Sequence, residues 1–122
     1  MTGALHLLFV DDDPDIRTIV TLALGLDPTI AVVAIDNADA ALTALADARF
    51  DAALLDVSMP GMDGPALLGA LREIVPGLPV IFMTAHSRAH ELVALYAAGA
   101  QGVIVKPFEP LTLATEVRAL LS

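Results

Sequence analysis

The sequence predicts a doubly wound α/β fold, with five parallel strands and five helices in one domain over residues 1–122. Three observations predict it. Short apolar runs alternate with helix-period segments along the whole chain. The runs are short and bounded by Gly, Pro, Asn or Asp, as buried strands are. The connections are short, so a parallel sheet covered on both faces follows, with no linker, repeat or low-complexity stretch.

Each element has its own justification. Leu7-Leu8-Phe9-Val10 is the first strand, and it ends in acids. Ile16, Ile19, Val20, Ala23 and Leu24 follow at i, i+3, i+4, i+7 and i+8, one face of a helix. Asp13-Pro14 supplies that helix with an N-cap and a first-turn proline, and Gly25 a stop. Residues 30–35 form the second strand, and Asp36-Asn37 caps a helix over about 38–48 anchored by Leu42 and Leu45. Residues 53–56 form the third strand. Pro65 opens a helix carrying Leu68, Leu71 and Val75, closed by Pro76-Gly77. Residues 80–84 form the fourth strand. Ala89, Leu92, Val93 and Tyr96 mark the core face of the next helix, closed by Gly99, with His90, Glu91, Ala94 and Ala98 opposite. Residues 103–105 form the fifth strand, and Leu113, Val117 and Leu120 mark the last helix.

A chain of 122 residues is long enough to bury roughly two thirds of its unfolded surface without staples. It has no cysteine, so disulfides and thiolate metal sites are excluded. No apolar run approaches the ~20 residues that span a bilayer, and the N-terminus lacks the pattern of a signal peptide, so a cytoplasmic domain is expected. The net charge is −9, and the six cationic residues (Arg17, Arg49, Arg72, Arg88, Lys106 and Arg118) are scattered singly. Without a basic stripe, binding to nucleic acid phosphate is not expected. Met1 stands just before the first strand and is read as a native start. The chain is either a stand-alone unit or a piece cut from a longer one at its C-terminus.

In a parallel sheet the C-terminal ends of all strands share one edge, and the site lies there. Asp11-Asp12, Asp56, Thr84 and Lys106 follow strands one, three, four and five, so three acids, a hydroxyl and the only lysine converge. Singly, each has a bland explanation as a cap, a packed hydroxyl or a surface charge. Together they do not. A carboxylate driven to the end of the apolar run Ala52-Ala53-Leu54-Leu55-Asp56 is costly unless paired, protonated or coordinating a metal. Neighbouring carboxylates repel by about 4 kcal/mol at 4 Å in an effective dielectric of 20, so a compensating cation is required. Oxygen donors of this kind suit Mg²⁺, which pairs with phosphate oxygens. A carboxylate is also a nucleophile that forms an acyl phosphate, with metal and lysine spreading the charge of in-line transfer.

These residues stand in motifs: Phe9-Val10-Asp11-Asp12, Leu54-Leu55-Asp56-Val57-Ser58-Met59-Pro60-Gly61-Met62-Asp63-Gly64, Ile81-Phe82-Met83-Thr84-Ala85 and Val105-Lys106-Pro107-Phe108. In order and spacing the chain resembles the response-regulator receiver family, the phosphoacceptor half of two-component signalling, over nearly all its length. The resemblance implies a flavodoxin-like sheet of order 2-1-3-4-5. It implies that Asp56 accepts a phosphoryl group from the phosphohistidine of a sensor histidine kinase or a phosphotransfer protein. Mg²⁺ or Mn²⁺ would be held by Asp11, Asp12, Asp56 and the Ser58 carbonyl. Lys106 and Thr84 would meet the phosphoryl oxygens, with the backbone at Ser58 and Ala85. It further implies a cis Lys106-Pro107 bond, a downstream protein target, and autocatalytic phosphotransfer and dephosphorylation instead of enzymatic turnover.

The family usually carries an aromatic residue three positions before the lysine, and here Val103 takes that place. Any switch is therefore expected in the loop after Thr84 and the helix beyond. Ser58 and His86 occupy positions that often tune phosphoryl lifetime, although His86 reads better as a polar residue near a helix start. Asp15, Thr18 and Leu22, with Phe108, form a candidate kinase-docking face. Phe108 is equally read as buried against the last helix. Dimerisation is left open.

Other classes fit the residues less well. A pseudo-receiver protein-binding module normally loses part of the acid–lysine set, which is complete here. Asp11-x-Asp13 resembles the nucleophile motif of haloacid-dehalogenase-type phosphatases, but Asp15 stands where Thr or Val is usual. Asp11-x-Asp13-x-Asp15 as a calcium loop would have Ile16 instead of Gly at position six and Leu22 instead of Glu at position twelve. Flavin binding lacks a phosphate-cradling loop after the first strand.

Overall fold

In the computed structural model, residues 4–59, 61–85 and 88–122 are described. Strands β1 (Leu5–Val10), β2 (Ile30–Ile35), β3 (Ala52–Asp56), β4 (Val80–Thr84) and β5 (Gly102–Val105) alternate with helices α1 (Pro14–Leu24), α2 (Ala38–Asp47), α3 (Gly64–Ile74), α4 (Ala89–Ala97) and α5 (Leu113–Leu121). Every neighbouring pair of strands is parallel, and the order is β2-β1-β3-β4-β5. After β2 the chain crosses over β1 to place β3 on its other side. The strand order therefore reverses between β1 and β3, and this opens a crevice at their C-terminal ends.

Period-two alternation divides the strand side chains between two cores. Leu7, Phe9, Leu54, Ile81 and Met83 pack against α1 and α5 through Val20, Ala23, Leu24, Leu113 and Val117. Leu8, Val10, Leu55, Val80 and Phe82 pack against α2, α3 and α4 through Ala41, Leu45, Leu67, Leu68, Leu71 and Leu95. β3 and β4 are buried at every residue, as central strands of such a sheet must be. Three helices start at side-chain caps. Asp13 accepts from the amides of Asp15 and Ile16, Asn37 from Ala40 and Asp63 from Ala66. Among the described residues no helix is long and apolar enough to cross a membrane.

The expected faces need two corrections. On α1, Val20, Ala23 and Leu24 are buried as expected, but Ile19 is 43% exposed. On α4 the expected core stripe is wrong. Val93 and Tyr96 are 66% and 49% exposed, and Leu95 is the buried residue. Glu91, expected on the outer face, is half-buried with Leu92. Nearly every residue of α4 is apolar or alanine, so periodicity offers several equivalent faces. The angle at which the helix meets β5 selects one. With roughly 1.5–3 kcal/mol per fully buried large apolar side chain, α4 is the most weakly held helix on its side of the sheet, because α3 buries Leu67, Leu68 and Leu71.

Candidate functional site

β1 delivers Asp11 to the crevice with the carboxylate 1% exposed. Its Oδ1 accepts from the amide of Asp13 at 2.9 Å, and its main-chain carbonyl accepts from Nη1 of Arg17 at 2.8 Å. The turn from β1 into α1 is thereby tied down on both sides, with Asp12 exposed between them. β3 delivers Asp56, 7% exposed, and β4 ends at the buried Thr84. The main-chain amide of Lys106 donates to the carbonyl of Thr84 at 2.7 Å, which fixes where the lysine leaves β5. The Lys106-Pro107 peptide is cis, as the resemblance implied.

Lys106 reaches back over the strand ends. Its Nζ lies 3.1 Å from Oδ1 of Asp56 and 3.4 Å from Oδ2 of Asp11. Asp11, Asp12 and Asp56 each offer a carboxylate oxygen within 4.8 Å of the others. Burial raises the pKa of Asp11; the amide of Asp13 opposes it, the charge of Asp56 adds to it, and Lys106 lowers it, for a net rise. For Lys106 burial works downward, but the hydrogen bond to Asp56 and the charges of Asp11 and Asp56 outweigh it, and its pKa is raised. The lysine is therefore held as an ammonium, one positive charge among three carboxylates. Three hard oxygen donors with that charge imbalance fit a divalent cation of the Mg²⁺ or Mn²⁺ type.

The loop after Asp56 is shaped by close packing. The amide of Gly64 donates to the carbonyl of Val57 at 2.8 Å, folding the loop back on the strand. A Cβ at Gly64 would lie 2.8 Å from Cε1 of Phe82 and 3.1 Å from the carbonyl oxygen of Asp56. Gly61 has φ +84°, which favours glycine there. Ser58 is exposed within this loop, two residues past Asp56. Ala85 is exposed and lines an open hollow of about 400 Å³ with Ile16, Ile19, Lys106, Pro107 and Phe108. Phe108 is half-buried, packed against the α1–α5 core while lining that hollow. Val103 is half-buried and packs against the opposite core. Pro60 and His86 lie outside the described residues. A hollow of about 560 Å³ at the far edge of the sheet, between residues 46–51 and 75–79, includes none of the converging residues.

The structure thus brings Asp11, Asp12, Asp56 and Lys106 together as expected and sets Thr84 on the adjacent strand end. Asp13 and Asp15 belong to α1, the first as its cap, which removes both from a calcium loop and Asp13 from a phosphatase pair. Arg17 was missed because its contact is to a main-chain carbonyl, which leaves no signature in residue types. The packing at Gly64 was likewise missed; a glycine at the first helical turn beside Pro65 was its only signal.

The sequence model described as the response regulator receiver domain matches residues 7–118. The chain is 44% identical to the response regulator protein FleR of Pseudomonas aeruginosa over 108 residues, covering 87% of this chain and 22% of FleR. It is 38% identical to the transcriptional regulatory protein CseB of Streptomyces avermitilis over 121 residues, covering 99% of this chain and 51% of CseB. The chain spans between about a fifth and about a half of the curated relatives it matches. Among solved structures it resembles chemotaxis protein CheY4 of Vibrio cholerae, with a TM-score of 0.86, 31% identity, and 98% and 99% of the two chains covered. It also resembles the NarL receiver domain of Mycobacterium tuberculosis, with a TM-score of 0.87, 29% identity and 98% of each chain covered.

Proposed function

The chain belongs to the response regulator receiver family of two-component systems, a signalling module, and on that premise we propose that Asp56 is its phosphoacceptor. One observation carries the reading. A buried carboxylate at a strand end holds an ammonium at 3.1 Å inside a three-carboxylate cluster that has more negative charge than the lysine neutralises. The donor is a phosphohistidine on a sensor histidine kinase or a phosphotransfer protein. An oxygen of Asp56 attacks phosphorus, the N–P bond breaks in line, and the histidine nitrogen leaves with the electron pair. Lys106 Nζ meets the negative oxygens of the transferring group. The Thr84 hydroxyl and the backbone at Ser58 and Ala85 donate to them.

Asp11, Asp12, Asp56 and the Ser58 carbonyl would hold Mg²⁺ or Mn²⁺, which supplies positive charge to the phosphoryl oxygens when bound. The Arg17 tie on Asp11 and the folded-back Gly64 keep the two carboxylate turns in place before any ligand arrives. Ser58 and His86 tune how fast water reaches the acyl phosphate.

Residues 1–122 act as one domain, in the cytoplasm, where a kinase can present its phosphohistidine. The kinase docks on α1 near Leu22, 69% exposed, and on the hollow beside Phe108. With Val103 in place of a ring, the response passes from Thr84 through the following loop into α4, where exposed Val93 and Tyr96 offer a face to a protein target. The net charge of −9 argues against direct contact with nucleic acid by this domain.

Intact mass after incubation with acetyl phosphate and Mg²⁺ tests the assignment, beside Asp56→Ala and a metal-free control. One added phosphoryl group that needs both Asp56 and Mg²⁺ is expected. No adduct, together with no response to beryllofluoride, would replace the phosphoacceptor with a non-phosphorylated binding module.

A further inference from the structure

The two ends of α4 are held unequally. Among the described residues, Arg88 at its start makes no capping side-chain hydrogen bond, as Thr112 makes none for α5, whereas Asp13, Asn37 and Asp63 cap α1, α2 and α3. Only Leu95, in its second half, is buried. Its C-terminus is closed by a full set of bonds. The amide of Gly99 donates to Tyr96 and that of Ala100 to Leu95, the pair of bonds that ends a helix on a left-handed residue, and Gly99 has φ +114°.

Arg72 of α3 adds a second layer to that end. Its Nη2 donates to the carbonyl of Gly99 at 2.7 Å, and its Nε donates to the carbonyl of Leu78, just before β4, at 3.1 Å. The guanidinium lies where a Cβ on residue 99 would stand. A planar fork reaching two carbonyls in fixed directions is specific to arginine, and its charge suits the negative end of α4. One side chain therefore ties the end of α4 to α3 and to the sheet, twenty-seven residues away in sequence.

We propose that Arg72 is a positioning residue of the switch: it pins the C-terminal turn of α4, so that a change at Thr84 swings the N-terminal half about Gly99. The proposal rests on the receiver reading above and specifies where the motion stops. Residues 88–93 move, while residues 98–101, which lead through β5 to Lys106, stay fixed. The pin thus keeps Lys106 in place while the exposed face carrying Val93 changes its angle.

Backbone amide shifts on addition of beryllofluoride and Mg²⁺ test this in the wild type, Arg72→Ala and Arg72→Lys. In the wild type the changes are expected to be largest at residues 88–92 and to fade by 98–101. In Arg72→Ala they extend through 98–101. The amides of residues 95–101 then exchange with solvent about tenfold faster even without ligand, as loss of a charged donor to part-buried carbonyls implies. Arg72→Lys keeps the charge and the stem but serves one carbonyl at a time, and falls between. Shift changes that are even along α4 in the wild type, or identical in Arg72→Ala, would overturn the pin while Asp56 still labels. A wild type that neither labels at Asp56 nor responds to beryllofluoride would overturn the receiver reading, and the pin's role in the switch with it.

Discussion

Lys106 Nζ stands 3.1 Å from Oδ1 of Asp56, although fifty residues separate them. The same ammonium lies 3.4 Å from Asp11, so a single cation serves two buried carboxylates and a third nearby. The cluster carries more negative charge than its one lysine neutralises, and the consequences are measurable.

Removing the cation should expose the imbalance. Lys106→Met is expected to lower metal-free stability by about 1–3 kcal/mol, because Asp11 and Asp56 lose a charged donor while remaining buried. Urea unfolding at neutral pH in a chelator measures it, and Mg²⁺ should restore part of the loss. An unchanged midpoint would mean that the pair contributes nothing to folding.

Relieving the repulsion should act the other way. Asp12 is exposed, and its carboxylate lies within 4.8 Å of two others. Asp12→Asn should raise metal-free stability by up to about 1 kcal/mol and reduce the stabilisation gained from Mg²⁺. Thermal unfolding with and without Mg²⁺ separates the two effects. A variant that gains as much from Mg²⁺ as the wild type would show that Asp12 is not a metal ligand.

The pH dependence on the far side of the molecule has a definite sign. Asp27, between α1 and β2, has its pKa lowered to about 2, first by the Thr29 hydroxyl, then by Arg118 of α5 and the Thr29 amide. Its Oδ2 accepts from Arg118 Nε at 2.7 Å, and Arg118 also meets the Thr29 hydroxyl. The unfolded chain takes up this proton near pH 4, so the stabilisation is complete above that and is lost as pH falls through about 2. Carboxyl-carbon NMR titration should show Thr29→Val moving Asp27 upward more than Arg118→Leu does. The reverse order would make the ion pair, not the hydroxyl, the main cause.

Two glycines of α3 should respond oppositely to alanine. At Gly64 a methyl group would lie 3.0 Å from Cα of Val57 and closer still to Phe82, so Gly64→Ala is expected to cost about 1–3 kcal/mol and to slow labelling of Asp56. Gly69 is exposed, with nothing within 4 Å of the added carbon, so Gly69→Ala should stabilise by about 0.5–1 kcal/mol. Urea midpoints of the two variants moving in the same direction would falsify the packing argument.

Much of the site was legible before the fold. Four strand ends carry residues too polar for their apolar approach, and a parallel sheet has only one edge on which to gather them. That places Asp11, Asp12, Asp56, Thr84 and Lys106 by topology alone. The caps at Asp13 and Asn37 were legible as well, since capping is decided within three residues of chain.

What only the tertiary structure decided are the contacts that depend on how elements meet. The side of α4 facing the core is one, because an alanine-rich helix has no single apolar stripe and its packing angle makes the choice. Arg17 on the carbonyl of Asp11, Arg72 on that of Gly99 and Arg118 on the Asp27–Thr29 turn are others. A main-chain carbonyl is present at every residue and marks no position in a sequence. An arginine finds one only when the fold brings the two together. The sequence by itself determined the strands and the chemistry at their ends; the packing of helices on that sheet decided which arginine holds what, and which face of α4 is left exposed.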